Sequence, residues 1–540
     1  MFIDLPPEII GMMFDCLPLP SLLCLRSACK ALLLPTTPRL FSEISFDLSH
    51  HHPSRQLQLI ESIVNPLCTF ASHVRILHIA ALHLVYHGAH DSDDLLVDEG
   101  PLQDILSEHL GPSLSKLRNL ETVRWAYDLD LDPSTTLESV ARALSSLPSL
   151  QTLIVSIKGQ PDAVGEQPLP PLHSFKDLHR FVVTCSGDIP RLYCEREIIP
   201  LIEASPALIE LSVQNFAAPA NKWLVRECVS LQPFFNTAKP ALQTLELVRV
   251  PLPSPGLKET LPSTLRQLSV STPPASRGVD FDWKALWYSL RETRTELSAL
   301  KVSGSERVMD DMLQYLLSYN GLQKLEITHL QMDHQHEEDK LAETFWEKIV
   351  PHVRSTLATL AITTSYEGNL CYGPSAAAAL SQCSFLKNLT LSVGTVSTPW
   401  ADEIFSQARN DRRVEFSRLD EPYGSPVNCG IGPPFLSKNS LGMPLETLVL
   451  TSTRAAADRA TDMYHLDSGT RSKGSPQVYR AMQQRRQMVN AIEDVLLRIQ
   501  APAECARNWP LTVVVDSSSR LCRQEANSIV YYKEESTEDD

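Results

Sequence analysis

Apolar residues recur along this chain in one spacing. An apolar position is followed by a second three residues on and a third two residues after that. The copies run Leu150-Leu153-Val155, Leu178-Phe181-Val183, Leu208-Leu211-Val213, Leu242-Leu245-Leu247, Leu265-Leu268-Val270 and Leu297-Leu300-Val302. They continue as Leu322-Leu325-Ile327, Leu357-Leu360-Ile362, Leu386-Leu389-Leu391 and Leu445-Leu448-Leu450, with weaker early copies at Val74-Leu77-Ile79 and Leu120-Val123-Trp125. The last two positions are two apart, so both point to one face of a strand, and the first sits in the turn before it. One such strand cannot bury its face alone. Copies stacked side by side make a parallel sheet with a shared core.

The stretches between copies carry helical spacing. Leu137, Val140, Leu144 and Leu147 form one stripe, with Thr136 as the expected N-cap. Met309, Met312, Leu313 and Leu316 form another, as do Leu341, Phe345 and Ile349. Trp283, Leu286, Trp287 and Leu290 form a fourth, capped by Asp280 or Asp282. The unit is strand, loop, helix, loop, and it returns about every 23 to 35 residues, with a longer gap before Leu445. The expected fold class is therefore α/β, a curved parallel sheet with helices outside. Over about residues 70 to 455 the chain resembles the leucine-rich-repeat family. It departs from that pattern just past the strand, where the family usually has Asn or Cys and this chain has Phe216, Val250, Leu330 and Gly394. Irregular turns and uneven curvature are expected from that departure.

The first 45 or so residues follow another pattern. Ile9, Ile10, Met13, Phe14 and Leu17 give a broad apolar helix face. Pro18 and Pro20 end that helix, Ser21 caps a second with Leu22, Leu25, Ala28 and Cys29, and a third runs until Pro35 stops it. This segment resembles the F-box motif through Leu5, Pro6, Glu8, Ile9, Leu17, Leu22, Leu25, Arg26, Cys29 and Lys30. It departs at Ala28, Leu32 and Phe41, where the family commonly has Val, Trp and Trp, so apolar chemistry is kept and size is not. The resemblance implies that Leu5, Pro6, Ile9, Leu17, Leu22 and Leu25 contact the small adaptor subunit of a cullin-RING ubiquitin ligase. The bland alternative is a helical cap on the repeats.

Composition narrows the rest. A net charge of −16 argues against general nucleic-acid binding and against docking to acidic membranes. No apolar run approaches the roughly 20 residues of a membrane span, and MFIDLPPEII lacks the basic start and long apolar run of a secretory signal. The 12 cysteines are scattered without a Cys-x-x-Cys pair and read as reduced thiols of a cytoplasmic or nuclear protein.

Candidate chemistry is sparse. His50, His51 and His52 form a run without fixed ligand spacing, and Met332 to Asp339 is a polar loop. His83, His87, His90 and Asp91, with Asp93 and Asp94, have partial metal-ligand spacing, but Gly88 interrupts the helix that would align them. Asp128, Asp130 and Asp132 lack the glycine turn and distal glutamate of an EF-hand, so a solvated loop is expected. No nucleotide, hydrolase or zinc-protease fingerprint occurs, and neither a cofactor nor enzyme activity is expected. The outward strand positions, among them Thr152, Ser156, Arg180, Glu210, Thr244, Glu246, Ser269, Lys301, Lys324, Glu326, Thr359 and Thr390, are polar and of mixed sign. Such a face suits protein recognition, though no residue is singled out as target-binding.

The expected organisation is an F-box at 1–48, an irregular leucine-rich-repeat solenoid at 49–455 and a mobile loop at 456–476. A C-terminal helix and strand at 477–520 cap the solenoid, and 521–540 form an acidic disordered tail. The function implied by the resemblance is substrate recognition within an SCF-type ubiquitin ligase, the F-box binding the adaptor of the cullin complex and the repeats binding a target protein. The alternative is a non-catalytic interaction scaffold whose F-box-like helices only cap the repeats.

Overall fold

The structure is a computed structural model. It describes residues 7–28, 30–48, 53–82, 99–129, 131–132, 134–159, 169–186, 193–215, 241–248, 261–271, 283–305, 309–331, 335–364, 366, 368–393, 447–452, 512–515, 518–525 and 528–533. The chain divides into two compact units, Met1–Leu265 with Ser276–Phe281, and Arg266–Ala275 with Asp282–Asp540.

The first unit opens with three helices, α1 (Pro7–Asp15), α2 (Leu19–Ala28) and α3 (Lys30–Leu40). Seven strands follow: β1 (Glu43–Asp47), β2 (Ile76–Ala81), β3 (Thr122–Asp128), β4 (Thr152–Lys158), β5 (Arg180–Cys185), β6 (Glu210–Asn215) and β7 (Thr244–Val248). From β2 on, each pairs in parallel with the strand before it in the chain. Helices α4 (Pro53–Val64), α5 (Glu99–Lys116) and α6 (Ser134–Ser145) lie between strands and pack on one another.

The second unit continues the scheme. Strands β8 (Gln267–Ser271), β9 (Ala299–Ser305), β10 (Lys324–Gln331), β11 (Thr359–Thr364), β12 (Asn388–Val393), β13 (Thr447–Ser452) and β14 (Thr512–Val515) pair in parallel in chain order. Two antiparallel strands end it, β15 (Ser518–Glu525) and β16 (Ser528–Lys533).

The recurrent apolar triplet accounts for both cores. In every triplet from Val74-Leu77-Ile79 to Leu386-Leu389-Leu391, all three side chains are buried. Each such side chain contributes roughly 1.5–3 kcal/mol of burial, which one strand alone could not realise. Backbone hydrogen bonds set the register. The carbonyl just before one strand accepts two consecutive amides at the start of the next. The Arg75 carbonyl accepts from Glu121 and Thr122, Glu121 from Gln151 and Thr152, and Gln151 from His179 and Arg180. The second unit repeats this, with Ser298 accepting from Gln323 and Lys324, and Gln323 from Ala358 and Thr359. Side chains add rungs one residue before the triplet. The Asn119 amide donates to the Ser72 carbonyl, the Thr264 hydroxyl to Leu242 and the Thr356 hydroxyl to Leu322.

Several local expectations are corrected. Ser21 and Thr136 are not caps, because their helices begin earlier, at Leu19 and Ser134. The helix expected from about Leu341 begins at Gln335, so part of the polar stretch Met332 to Asp339 is helical. Pro35 does not stop α3, which runs through Pro35 and Pro38 to Leu40. The Thr36 hydroxyl donates to the Leu32 carbonyl and the Thr37 hydroxyl to the Leu33 carbonyl, both at 2.6 Å. Hydroxyls bonded back in this way bend a helix, which makes room for a proline ring. A wide i→i+5 turn does similar work where a helix meets Pro200 or Pro351, at Cys194–Ile198 and Phe345–Ile349. The acidic tail expected from 521 is shortened, because β15 and β16 reach Lys533. The loop at 456–476, the helix at 477–499, and positions Phe216, Val250 and Gly394 lie outside the described residues.

Candidate functional site: the N-terminal helices and the outer strand face

Helix α1 is apolar on two sides, and the sides have different fates. Ile10 and Phe14, one turn apart, are buried with Leu22 of α2, and Leu17, Leu25, Leu32 and Leu40 pack against them. That small cluster is the interior of the three helices. Ile9, Met12 and Met13 fall on a second stripe and are exposed, Ile9 at 43 % and Met12 at 66 %. Leu19 and Leu23 of α2 are 57 % and 51 % exposed, and Leu33 of α3 is also exposed. A helix needs one apolar stripe to join a core. The second stripe adds exposed aliphatic surface that folding of the described residues does not use, a common mark of an interaction site.

The residues expected at an adaptor contact separate accordingly. Leu5 and Pro6 lie outside the described residues. Ile9 is exposed, and Leu17 and Leu25 are half-buried against the cluster. Leu22 is 1 % exposed and holds α2 against α1 from within. Met12, Leu19 and Leu23 were missed. Their helical spacing relative to Ile9 was visible, but their exposure depends on how the three helices pack. Phe41, just beyond α3, stacks on Phe70 with ring centroids 4.6 Å apart, and the Arg26 guanidinium lies 5.1 Å from the Phe41 centroid. This stack ties the helices to the segment leading into β2.

The outward strand face of the first unit carries three rows in register. The middle row reads Ser45, His78, Arg124, Ile154, Val182, Ser212 and Glu246 from β1 to β7. Polar contacts link neighbouring strands: His78 Nε2 lies 2.7 Å from a Glu43 carboxylate oxygen, and Arg180 forms an ion pair with Glu210 at 2.9 Å. Glu246 accepts hydrogen bonds from the Ser212 hydroxyl at 2.7 Å and the Gln214 amide at 2.8 Å. In the second unit Glu326 lies between Lys324 at 2.8 Å and Lys301 at 3.8 Å. Beside them Thr359, Asn388 and Thr447 make a neutral polar row.

The aspartate stretch is not the solvated loop expected. Asp132 is 8 % exposed, and its carboxylate accepts the Leu82 amide at 3.1 Å and the Asp128 amide at 2.8 Å, joining the ends of β2 and β3. Asp130 lies outside the described residues, as do His50, His51, His52, His83, His87, His90 and Asp91. Among the described residues, no group of three or more His, Cys, Asp or Glu side chains is arranged to hold a metal ion. Burial pushes the Cys194 thiol well up and the Cys383 thiol up to about 11, which disfavours the thiolate a cysteine nucleophile needs. No helix among the described residues is long and apolar enough to cross a membrane. Compared with protein-family models the chain matches none, and no curated protein matches it.

Proposed function

We propose that this chain is the target-receptor subunit of an SCF-type ubiquitin ligase, working in the cytoplasm or nucleus. On this reading α1–α3 are an F-box that docks on the adaptor of the cullin complex. The strand–helix repeats are an irregular leucine-rich-repeat solenoid whose outer face holds a target protein. The chain needs no chemistry of its own, because catalysis by proximity belongs to the assembled ligase.

The observation that carries the proposal is the second apolar stripe of α1, Ile9, Met12 and Met13, with Leu19 and Leu23 of α2 exposed as well. It occurs in the segment whose Leu5, Pro6, Glu8 and Ile9 match the F-box start. Truncating a side chain that anchors an interface from a well-packed, desolvated position costs about 1 to 4 kcal/mol. The test is capture of purified adaptor, alone and with the amino-terminal part of the cullin, by the full chain. Wild type should bind. Ile9→Asp with Met12→Asp, and separately Leu5→Ala with Pro6→Ala, should weaken capture at least tenfold while the circular-dichroism melt stays in place. If the wild-type chain binds no adaptor, the reading fails.

The Arg26–Phe41–Phe70 stack favours a second role for the same helices, closing the start of the sheet at β1. That role is compatible with the first and becomes the whole account if adaptor capture fails.

A further inference from the structure

In the middle outward row of the first unit, an aliphatic pair and a serine stand between a cation and an anion. Arg124 on β3 is registered against Ile154 on β4, Ile154 against Val182 on β5, Val182 against Ser212 on β6, and Ser212 against Glu246 on β7. Arg124 is exposed and has no ion pair among the described residues. Glu246 is half-buried, and the partners it has are neutral, Ser212 and Gln214. Ile154 is half-buried and Val182 is 9 % exposed, so Ile154 offers most of the apolar contact. Beside this row Arg180 is paired with Glu210 at 2.9 Å.

We infer that this row is a peptide-docking track. Its occupant is a short extended segment of a partner protein with a carboxylate for Arg124, aliphatic side chains over Ile154 and a cation for Glu246. The inference rests on the reading above in assigning the target to the strand face, and it names the chemistry of that target. Three points select this occupant. Charge complementarity fixes its two ends, since opposite charges across an interface favour the right partner and penalise the wrong one. Length follows from the sheet: four strand intervals separate Arg124 from Glu246, about 19 Å, which an extended chain crosses in about six residues. Area argues against a second copy of this chain. The track, one row wide across five strands, covers roughly 160 Å², while a stable protein pair buries about 800 Å² on each partner.

The experiment selects random twelve-residue peptides, displayed on phage, on the immobilised full chain. Wild type should enrich peptides with an acidic and a basic residue about six positions apart and aliphatic residues between. Arg124→Glu replaces an exposed side chain and makes both ends of the track negative, so it should instead enrich peptides basic at both ends. A peptide selected on wild type, followed by fluorescence anisotropy, should bind Arg124→Glu at least tenfold more weakly, and changing its acidic residue to Lys should restore binding. The Ile154→Asp chain should enrich neither pattern. No enrichment on wild type, or the same peptides on wild type and Arg124→Glu, overturns the inference. So does a dimer in light scattering that Arg124→Glu dissolves, which would assign the row to self-association. Adaptor capture reads the N-terminal helices and peptide selection reads the sheet, so either result can fail while the other stands.

Discussion

Phe41 and Phe70 lie ring against ring, 4.6 Å between centroids and 24° apart in plane, although 29 positions separate them in the chain. One residue ends the helical segment and the other opens the short turn before β2, so the pair fixes where the helices attach. Stacked aromatic pairs contribute about 0.5–1.5 kcal/mol beyond the area they bury. Phe41→Leu and Phe70→Leu should therefore show a coupling of about that size in a double-mutant cycle, measured by urea unfolding of the full chain. Hydrogen exchange should speed up at α3 and β1 in each single variant and leave β4 and β5 unchanged.

Leu22 and Met12 make a matched pair for separating stability from docking. Leu22 is 1 % exposed within the helical cluster, so Leu22→Ala should destabilise the helices by about 2–4 kcal/mol. Met12 is 66 % exposed, and Met12→Ala should change stability by no more than about 0.5 kcal/mol. Far-ultraviolet melts check both. If the apolar stripe is a contact surface, Met12→Ala weakens adaptor binding on a chain that melts normally.

Buried tyrosines predict the alkaline limit of the fold. Burial, then Asp132 and Asp128, pushes the Tyr127 hydroxyl up to about 12, and burial raises Tyr193, Tyr315, Tyr319 and Tyr372 further. A phenol raised in the folded state and ordinary in the unfolded state favours folding fully below pH 10. That contribution fades as pH rises from about 10 towards the folded value, because only the unfolded chain releases the proton there. Absorbance of phenolate at 295 nm should rise in two stages, the second coinciding with loss of circular dichroism. Tyr127→Phe should move that second stage to higher pH.

The antiparallel pair β15 and β16 covers the edge that β14 would otherwise expose. Val513, Val514 and Val515 make that edge apolar, and an open apolar edge is a template for aggregation. A chain ending after Val515 should scatter light on warming well below the temperature at which the full chain does. Equal scattering from the two chains would remove this role from the hairpin.

The triplet spacing made the inward strand residues legible because period two and burial coincide in a parallel sheet. Leu150, Leu153 and Val155 could be placed before any coordinates, and all three are buried. Helix starts were less legible. Ser21 and Thr136 have the right chemistry for caps, yet each lies two residues inside its helix. Pro35 carries a strong stop signal, and hydroxyls at Thr36 and Thr37 offset it in a way that local rules do not rank. The strands β15 and β16 were hidden because SSSRLCRQE and SIVYYK alternate weakly and stand beside an acidic run. At the candidate site, composition marked Leu22 and Ile9 alike as apolar. Only the packing of three helices separates a residue that holds the module from one that faces outward.

The double amide bond at the start of most strands has a consequence for how the chain is made. Within each unit, the carbonyl that receives the new strand belongs to the strand synthesised just before it, as Glu121 receives Gln151 and Thr152. Each strand that follows another in its unit thus finds its first partner already made, and its second edge is closed by the strand that emerges next, β14 by β15 included. Assembly can proceed as vectorial winding, strand upon strand, with the hairpin at the end acting as its stop.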